Sequence, residues 1–226
     1  MSPKATFLIA HGAWTGAWSW RRVIDRLTER GHRVHAPTLS GLGERSHLAG
    51  AAAINLSTHV NDIVNEATWN DLDRLVLIGH SYGGFVIAGA AEQLRGRIES
   101  IVFLEAFIPR DGQSFSDLAP GEALPDPLVP PPPSAQGDYR NDDDRKWVAS
   151  KVTPQPTATF TERLRITGAY LQVPKKTFIQ ANQGVSAETA KPLRRDSAWT
   201  VRDIDCGHDV PVDRPHELAQ LLEKSI

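Results

Sequence analysis

The stretch "LVLIGHSYGG" at residues 75–84 decides the predicted fold, because it joins a strand, a sharp turn and a helix. Residues 75–78 are an apolar run typical of a buried strand, and the small apolar residues of 84–94 predict a buried helix. Between them, residues 79–83 form the pattern G-x-S-x-G. A serine at such a turn has a strained backbone that lifts its hydroxyl above the sheet, and a Cβ at either glycine would clash across the turn. The pattern therefore predicts a nucleophile, Ser81, rather than a glycine-rich turn that only reverses the chain.

Outward from this turn, the chain alternates between apolar runs and segments with helical spacing. Strands are predicted at residues 5–10, 33–36, 75–78, 100–104, 176–181 and 199–204, and helices at 17–30, 55–69, 84–94, 187–195 and 215–224. Strand–helix units of this length are typical of a mostly parallel sheet, here of about six strands, with helices on both faces. The predicted fold class is therefore α/β.

One segment interrupts the alternation. It contains the proline-rich run "PDPLVPPPPSAQGDYRND" at residues 125–142, which cannot form a helix or a central strand. We therefore expect a core formed by residues 1–108 and 175–226, with residues 109–174 inserted over the sheet edge as a small cap. The alternative is a flexible surface loop, but the aromatic and aliphatic side chains in the segment favour packing. Within the segment, short helices are expected at residues 143–151 and 158–166.

Composition limits the classes of function. Lys and Arg number 25 against 27 Asp and Glu, a formal net charge of −2, which is not typical of a protein that binds nucleic acid or an anionic membrane. The single cysteine, Cys206, excludes an internal disulfide and a cysteine-based zinc cluster, and no H-E-x-x-H pattern is present, so we predict no metal. The apolar run at 7–10 is too short for a signal-peptide core or a membrane span, so a soluble, cytoplasmic protein is expected. Composition does not specify an oligomeric state.

A nucleophilic serine needs a general base, which is usually histidine. Of the eight histidines, His208 lies in "VRDIDCGHDVPVDRP" (residues 201–215), after the last predicted strand and before the final helix. Parallel sheets place their functional sites at the carboxyl ends of their strands, so His208 is the predicted base. The alternative is a histidine in a surface loop. His80 is adjacent to Ser81, so its side chain leaves the turn in another direction, and we interpret it as a packing and hydrogen-bonding residue.

The stretch "FLIAHGAWTGAW" at residues 7–18 places a glycine-containing loop after the first strand. Ester hydrolysis builds negative charge on the carbonyl oxygen, and two backbone N–H groups can stabilise it. The predicted donors are Ala13, in this loop, and Tyr82, the residue after the nucleophile. Gly12 would allow the backbone to come close. The alternative is a plain strand-to-helix connection.

Together, several motifs resemble the α/β-hydrolase superfamily, and more narrowly its small plant methyl-ester esterases and hydroxynitrile lyases with their bacterial esterase relatives. These motifs are "HGAWTGAWSW" (11–20), "GHRVHAPTLSGLGERSHL" (31–48), "GHSYGG" (79–84) and "GHDVPVDRPHELAQLL" (207–222). The resemblance implies a Ser-His-acid triad, no cofactor and a small cap over an apolar pocket. Ser81 and His208 match the nucleophile and base, and Ala13 and Tyr82 match the oxyanion donors.

Two positions separate activities within the resembled group. Its hydroxynitrile lyases carry threonine at the position of Gly12, and lysine directly after the catalytic histidine, where this chain has Asp209. Both differences favour ester hydrolysis over cyanohydrin cleavage. Related dehalogenases and epoxide hydrolases use an aspartate nucleophile, which Ser81 argues against.

The triad acid is not where the resemblance places it, because residues 182–186 contain no carboxylate. Glu105 directly follows the apolar run 101–104, and burial of its charge is costly unless a partner such as an imidazole offsets it. Some members of the superfamily take their acid from this neighbouring strand, as the resemblance implies. We therefore predict Glu105 as the acid, with Glu188, Asp111, Asp205 and Asp209 as rivals. The alternative role for Glu105 is to pair only with an arginine such as Arg110 or with a backbone amide.

The sequence thus predicts a serine carboxylic-ester hydrolase acting on a small, largely apolar ester, its only expected partner. Gly12, Trp14 and Phe107 are the predicted substrate contacts. Two alternatives remain open. One is lactone or carbon–carbon bond hydrolysis, or a cofactor-free oxygenase reaction, on the same triad. The other is a ligand-binding receptor that has kept the hydrolase pocket.

Overall fold

The structure, a computed structural model, describes residues 4–50, 53–118 and 124–226. Residues 1–3 and 51–52, which fall within the predicted core segment 1–108, lie outside this description. The same is true of residues 119–123, which fall within the expected insertion.

A six-stranded parallel sheet forms the centre of the molecule, with the strand order β2-β1-β3-β4-β7-β8. A separate antiparallel pair, β5 and β6, lies in the segment 109–174. The strands are β1 (Thr6–Ala10), β2 (Arg33–His35), β3 (Leu75–His80), β4 (Ile98–Leu104), β5 (Leu128–Val129), β6 (Gln155–Pro156), β7 (Lys175–Ala181) and β8 (Thr200–Ile204). The predicted parallel sheet of about six strands is confirmed.

Helices cover both faces of this sheet. The α-helices are α1 (Arg21–Glu29), α2 (Leu56–Trp69), α3 (Gly83–Gln93), α4 (Phe115–Leu118), α5 (Asp142–Ala149), α6 (Ala158–Thr161), α7 (Ala187–Leu193), α8 (Val210–Asp213) and α9 (Pro215–Glu223). Short 3-10 helices occur at Ala17–Trp20, Gly43–Leu48 and Ala169–Gln172. In the described part of the chain, no helix is both long and apolar enough to cross a membrane.

Alternation along the strands divides the core into two layers. In β1, Phe7 and Ile9 pack with α1 and α9, whereas Leu8 and Ala10 pack with α2 and α3. Both faces of the strand are apolar because both are covered, as expected of a parallel sheet between helical layers. The small residues of α3 let it lie against α2, since a Cβ on Gly89 would come within 2.6 Å of Val60.

One predicted helix is shorter than expected. A short helix is expected at 158–166, but α6 ends at Thr161 and the backbone becomes extended at the next residue. Beyond it, the N–H of Leu164 donates to the carbonyl of Gln113, and the N–H of Gly112 donates to the carbonyl of Leu164. Backbone pairing with the loop after β4 therefore replaces the last helical turns.

Because the strands run parallel, the loops that follow them meet at one edge of the sheet. The loops after β1, β3, β4, β7 and β8 begin at residues 11, 81, 105, 182 and 205. These loops hold every catalytic and oxyanion residue predicted from the sequence.

Candidate active site

Ser81 occupies a sharp turn between β3 and α3, with a left-handed backbone at φ 53°. A Cβ on Gly79 would come within 2.5 Å of the carbonyl oxygen of Gly83, and a Cβ on Gly83 would come within 2.4 Å of the carbonyl oxygen of Ala10. The expected need for glycine at both positions is confirmed. The turn points the serine side chain into a cavity at the sheet edge.

His208 lies in the loop after β8 and lines the same cavity as Ser81. Nε2–H of His80 donates to the carbonyl oxygen of His208 over 3.0 Å, and the two rings lie 4.9 Å apart between centroids. Burial lowers the pKa of His80 to about 4, so its ring stays neutral. His80 therefore holds the loop that carries His208, in keeping with its interpretation as a packing and hydrogen-bonding residue.

Glu105 directly follows β4 and is completely buried, with φ 45°. Its Oε1 lies 3.7 Å from Nδ1 of His208. The rival acids lie elsewhere: Glu188 is exposed and pairs with Lys191, and Asp111 accepts a hydrogen bond from the N–H of Ile166. Of the acids weighed from the sequence, the structure brings Glu105 to the imidazole.

The carboxylate of Glu105 accepts hydrogen bonds from the turn after β7. Oε2 accepts from the N–H of Ala181 and the hydroxyl of Ser186, and Oε1 accepts from the N–H groups of Val185 and Ser186. Burial alone would raise the pKa of Glu105, but the imidazole of His208, the hydroxyl of Ser186 and the amide of Ala181 outweigh it and hold this pKa below its usual value. The group is therefore an ionised acceptor.

Two backbone N–H groups near the serine are free to bind an oxyanion. Within the described residues, the N–H groups of Ala13 and Tyr82 have no acceptor. Gly12 keeps the space beside them open, since a Cβ there would lie 3.0 Å from Nδ1 of His80 and 3.5 Å from Cβ of Ser81. This arrangement can stabilise negative charge that develops on a bound carbonyl oxygen.

Buried histidines form hydrogen bonds with Tyr82 and with Gly12, the residue before Ala13. His11 donates from Nδ1 to the carbonyl oxygen of Gly12 over 2.8 Å and accepts at Nε2 from the N–H of Leu39. His59 accepts at Nδ1 from the hydroxyl of Tyr82 over 3.0 Å. Burial lowers the pKa of each histidine to about 4, so both rings are neutral and can donate and accept at once.

The cavity above the serine has a volume of about 740 Å³. Gly12 and Trp14 line it, and the segment 109–174 supplies much of its opposite wall through residues 131–133, Tyr139 and Val148. Phe107 does not line the cavity, because its ring packs against Phe115 with 5.0 Å between centroids.

Comparison with known proteins identifies the family. The model of the alpha/beta hydrolase family matches residues 7–221. This chain belongs to the α/β-hydrolase family. It is 35% identical to the carbendazim hydrolyzing esterase of Nocardioides sp. (strain SG-4G), over 96% of this chain and 98% of that protein. The chain is an esterase-type member of the family.

Two further proteins are similar to this chain. The alpha-hydroxynitrile lyase of Arabidopsis thaliana is 34% identical over 48% of this chain and 42% of its own length. A solved structure of an extracellular α/β-hydrolase from a Paenibacillus species superposes with a TM-score of 0.83, covering 98% of both chains. It is described as sharing structural and functional homology with tobacco salicylic acid binding protein 2. At 23% identity, this last likeness shows the fold alone.

The structure also places residues in this hydrolase site that sequence reasoning missed. Gln155 of β6 is completely buried, and its side chain accepts a hydrogen bond from the N–H of Trp14. Tyr139 donates its hydroxyl to the carboxylate of Asp209, next to His208. No sequence signal marked Gln155. Tyr139 stands out as a lone tyrosine in a proline-rich run, but that signal does not specify a role. Among residues 4–50, 53–118 and 124–226, no cluster of His, Cys, Asp and Glu could hold a metal ion.

Proposed function

We propose that the protein is a serine carboxylic-ester hydrolase in which Ser81, His208 and Glu105 form the catalytic triad. The observation that carries the proposal is that Ser81 and His208 line one cavity while Glu105 lies 3.7 Å behind the imidazole. A hydroxyl, an imidazole and a buried carboxylate in this order are the parts that nucleophilic acyl transfer requires.

In the proposed reaction, the hydroxyl of Ser81 attacks the ester carbonyl carbon while Nε2 of His208 takes its proton. The carbonyl oxygen becomes an oxyanion held by the N–H groups of Ala13 and Tyr82. Collapse of this intermediate expels the alcohol, which takes the proton from His208, and leaves an acyl group on Ser81. Water then repeats the same steps to release the acid. Glu105 orients His208 and stabilises its charged form.

We further propose that residues 109–174 act as a cap that closes the cavity over the ester, with Gly12 and Trp14 contacting the substrate. The proline-rich wall at 131–133 and the rings of Trp14 and Tyr139 suit a small, largely apolar molecule. The name of the full-length relative supports including carbendazim in a substrate panel beside simple esters. Phe107 is proposed as a support for the cap through its contact with Phe115.

The test compares the wild type with Ser81→Ala on p-nitrophenyl acetate and with a fluorophosphonate probe. The wild type should hydrolyse the ester and become labelled, while Ser81→Ala should lose the label and at least roughly 1000-fold in kcat. Ser134→Ala is the matched control, because Ser134 lines the same cavity away from the turn, and it should keep both properties. A Ser81→Ala protein that hydrolyses at the wild-type rate would overturn the proposal. A labelled wild type without turnover on any ester would favour the receptor alternative.

A further inference from the structure

The carboxylate of Glu105 is buried without a strong cation beside it. Within the described part of the chain, no lysine or arginine forms an ion pair with Glu105, and the basic group next to it is the imidazole of His208. Burial of an ionised carboxylate in a protein interior costs several kcal/mol unless hydrogen bonds or charges offset it. The charge must therefore be stabilised chiefly by hydrogen-bond donors.

Those donors come from one short stretch, residues 181–186, at the end of β7 and the turn that follows it. Three are backbone N–H groups, from Ala181, Val185 and Ser186, and the fourth is the hydroxyl of Ser186. Ser186 is only 4% exposed, so water does not compete with Glu105 for its hydroxyl. A carboxylate has about four lone-pair sites, and this stretch supplies a donor for each.

Close contact makes this turn specific for the carboxylate. A Cβ on Gly184 would lie 2.1 Å from Oε1 of Glu105, a distance that no real contact allows. The glycine therefore lets the turn close around the acid. The stretch 182–186, which carries no acid of its own, instead binds the acid of the strand beside it.

We propose that residues 184–186 form a cradle that positions Glu105 for catalysis, with the hydroxyl of Ser186 as its positioning side chain. The inference rests on the proposed triad and identifies the residues that hold the acid of that triad in position. Nδ1 of His208 has no hydrogen-bond partner in the described structure and lies just beyond hydrogen-bond distance of Oε1. When His208 takes the proton of Ser81, the cradle has already fixed the ionised carboxylate 3.7 Å from Nδ1, where its negative charge stabilises the imidazolium.

Removal of the hydroxyl of Ser186 should weaken this arrangement in a pH-dependent way. Oε2 would lose a donor, so the carboxyl would become more basic and would take up a proton at higher pH. Because the proposed reaction requires the ionised carboxylate, the acidic limb of the pH profile should move to higher pH. The other titratable groups that feel Glu105 are His80, with a pKa of about 4, and Cys206, with a pKa of about 12, and neither titrates near neutral pH.

The experiment measures kcat, KM and the pH profile of kcat/KM for Ser186→Ala and Ser186→Thr on p-nitrophenyl acetate. Ser186→Ala should lower kcat about tenfold at neutral pH with KM nearly unchanged, and its acidic limb should move to higher pH. Ser186→Thr keeps the hydroxyl and should recover most of the rate and the wild-type limb. Ser225→Ala removes a hydroxyl from a serine that is 3% exposed and hydrogen-bonded to Leu221, and it should change neither quantity.

Gly184→Ala tests the cradle without touching a hydrogen-bonding group of the side chains. Its added Cβ should push the carboxylate aside and lower kcat more than Ser186→Ala does, while thermal unfolding shows whether the variant is folded. It also carries the test if Ser186→Ala folds poorly.

The outcomes separate this inference from the proposed function. Full activity in Glu105→Gln would overturn the triad itself. A large loss in Glu105→Gln together with wild-type kcat and pH profile in Ser186→Ala would overturn only the cradle. An equal loss at every pH in Ser186→Ala, with an unmoved acidic limb, would show a merely structural role and would also overturn it.

Discussion

Individual residues of the site adopt backbone conformations that side chains usually avoid. Trp14, Ser81 and Glu105 have φ values of 60°, 53° and 45°. Trp14 and Ser81 line the cavity, and Glu105 lies beside His208, which also lines it. Such left-handed conformations cost about 1–3 kcal/mol each and persist only where neighbours enforce them. Here the N–H of Ser81 donates to Leu104 and that of Glu105 donates to Ile179, so the sheet itself imposes the strained positions.

A paired substitution tests the role of the buried acid. Glu105→Gln should lower kcat on p-nitrophenyl acetate by roughly 1000-fold, because an amide cannot stabilise the imidazolium that forms on His208. Glu188→Gln changes an exposed carboxylate on α7 and should keep nearly full activity. Steady-state kinetics with thermal unfolding as a folding check provide the measurement. Equal losses in the two variants would contradict the assignment of Glu105.

At the scale of elements, the segment 109–174 is joined to the core beside the catalytic groups. The indole N–H of Trp14 donates to the carbonyl oxygen of Val129 in β5, and its backbone N–H donates to Gln155 in β6. On the other side of the cavity, Tyr139 donates to Asp209, the residue after His208. The loop after β1 and the loop that carries His208 are therefore each hydrogen-bonded to the proposed cap.

Removal of the hydrogen bond between Tyr139 and Asp209 should loosen the proposed cap locally. Tyr139→Phe loses a hydrogen bond to a carboxylate, an interaction of about 1.5–3 kcal/mol, so amide hydrogen exchange in residues 137–141 should become about tenfold faster or more. Tyr170→Phe is the control, since Tyr170 donates to the carbonyl of Pro109 at another end of the same segment. An unchanged rate of amide hydrogen exchange at residues 137–141 in Tyr139→Phe would show that this hydrogen bond does not hold the segment in place.

Across the whole molecule, acid stability should depend on neutral histidines buried around the site. The pKa values of His11, His59 and His80 are lowered to about 4, chiefly by burial. In the unfolded chain these groups bind protons below about pH 6.5. Between about pH 6.5 and pH 4 the unfolded state therefore binds more protons than the folded state, and the free energy of unfolding falls as pH falls.

The expected slope is about 1.4 kcal/mol per pH unit for each of these histidines, or about 4 kcal/mol per pH unit in total near pH 5. Urea unfolding at a series of pH values measures it. His59→Gln removes one of the three groups and should reduce the slope by about 1.4 kcal/mol per pH unit, although the variant itself is less stable. His216→Asn, on the exposed face of α9, should leave the slope as it is. A wild-type slope near zero between pH 6.5 and pH 4 would contradict the neutral state of the buried rings.

Much of the fold and part of the site could be predicted from local pattern. The strand β3, the glycines around Ser81 and the alternation of strands and helices are local features, so their structure follows from short stretches of chain. Glu105 was also marked locally, because a carboxylate after an apolar run is costly and calls for a partner. The length of α6 was not predictable, since the loop at 112–113 competes for its backbone hydrogen bonds.

The sequence by itself determined the α/β class, the serine turn, and the carboxylate and histidine that follow two of the strands. Only the tertiary structure decided that the turn at 184–186 surrounds Glu105, because that contact depends on β7 lying beside β4 after the long excursion of residues 109–174. Only the tertiary structure, likewise, made 131–133 and Tyr139 a wall of the cavity. A proline-rich run has no periodicity to reveal which face it presents, so its position is set by what it packs against.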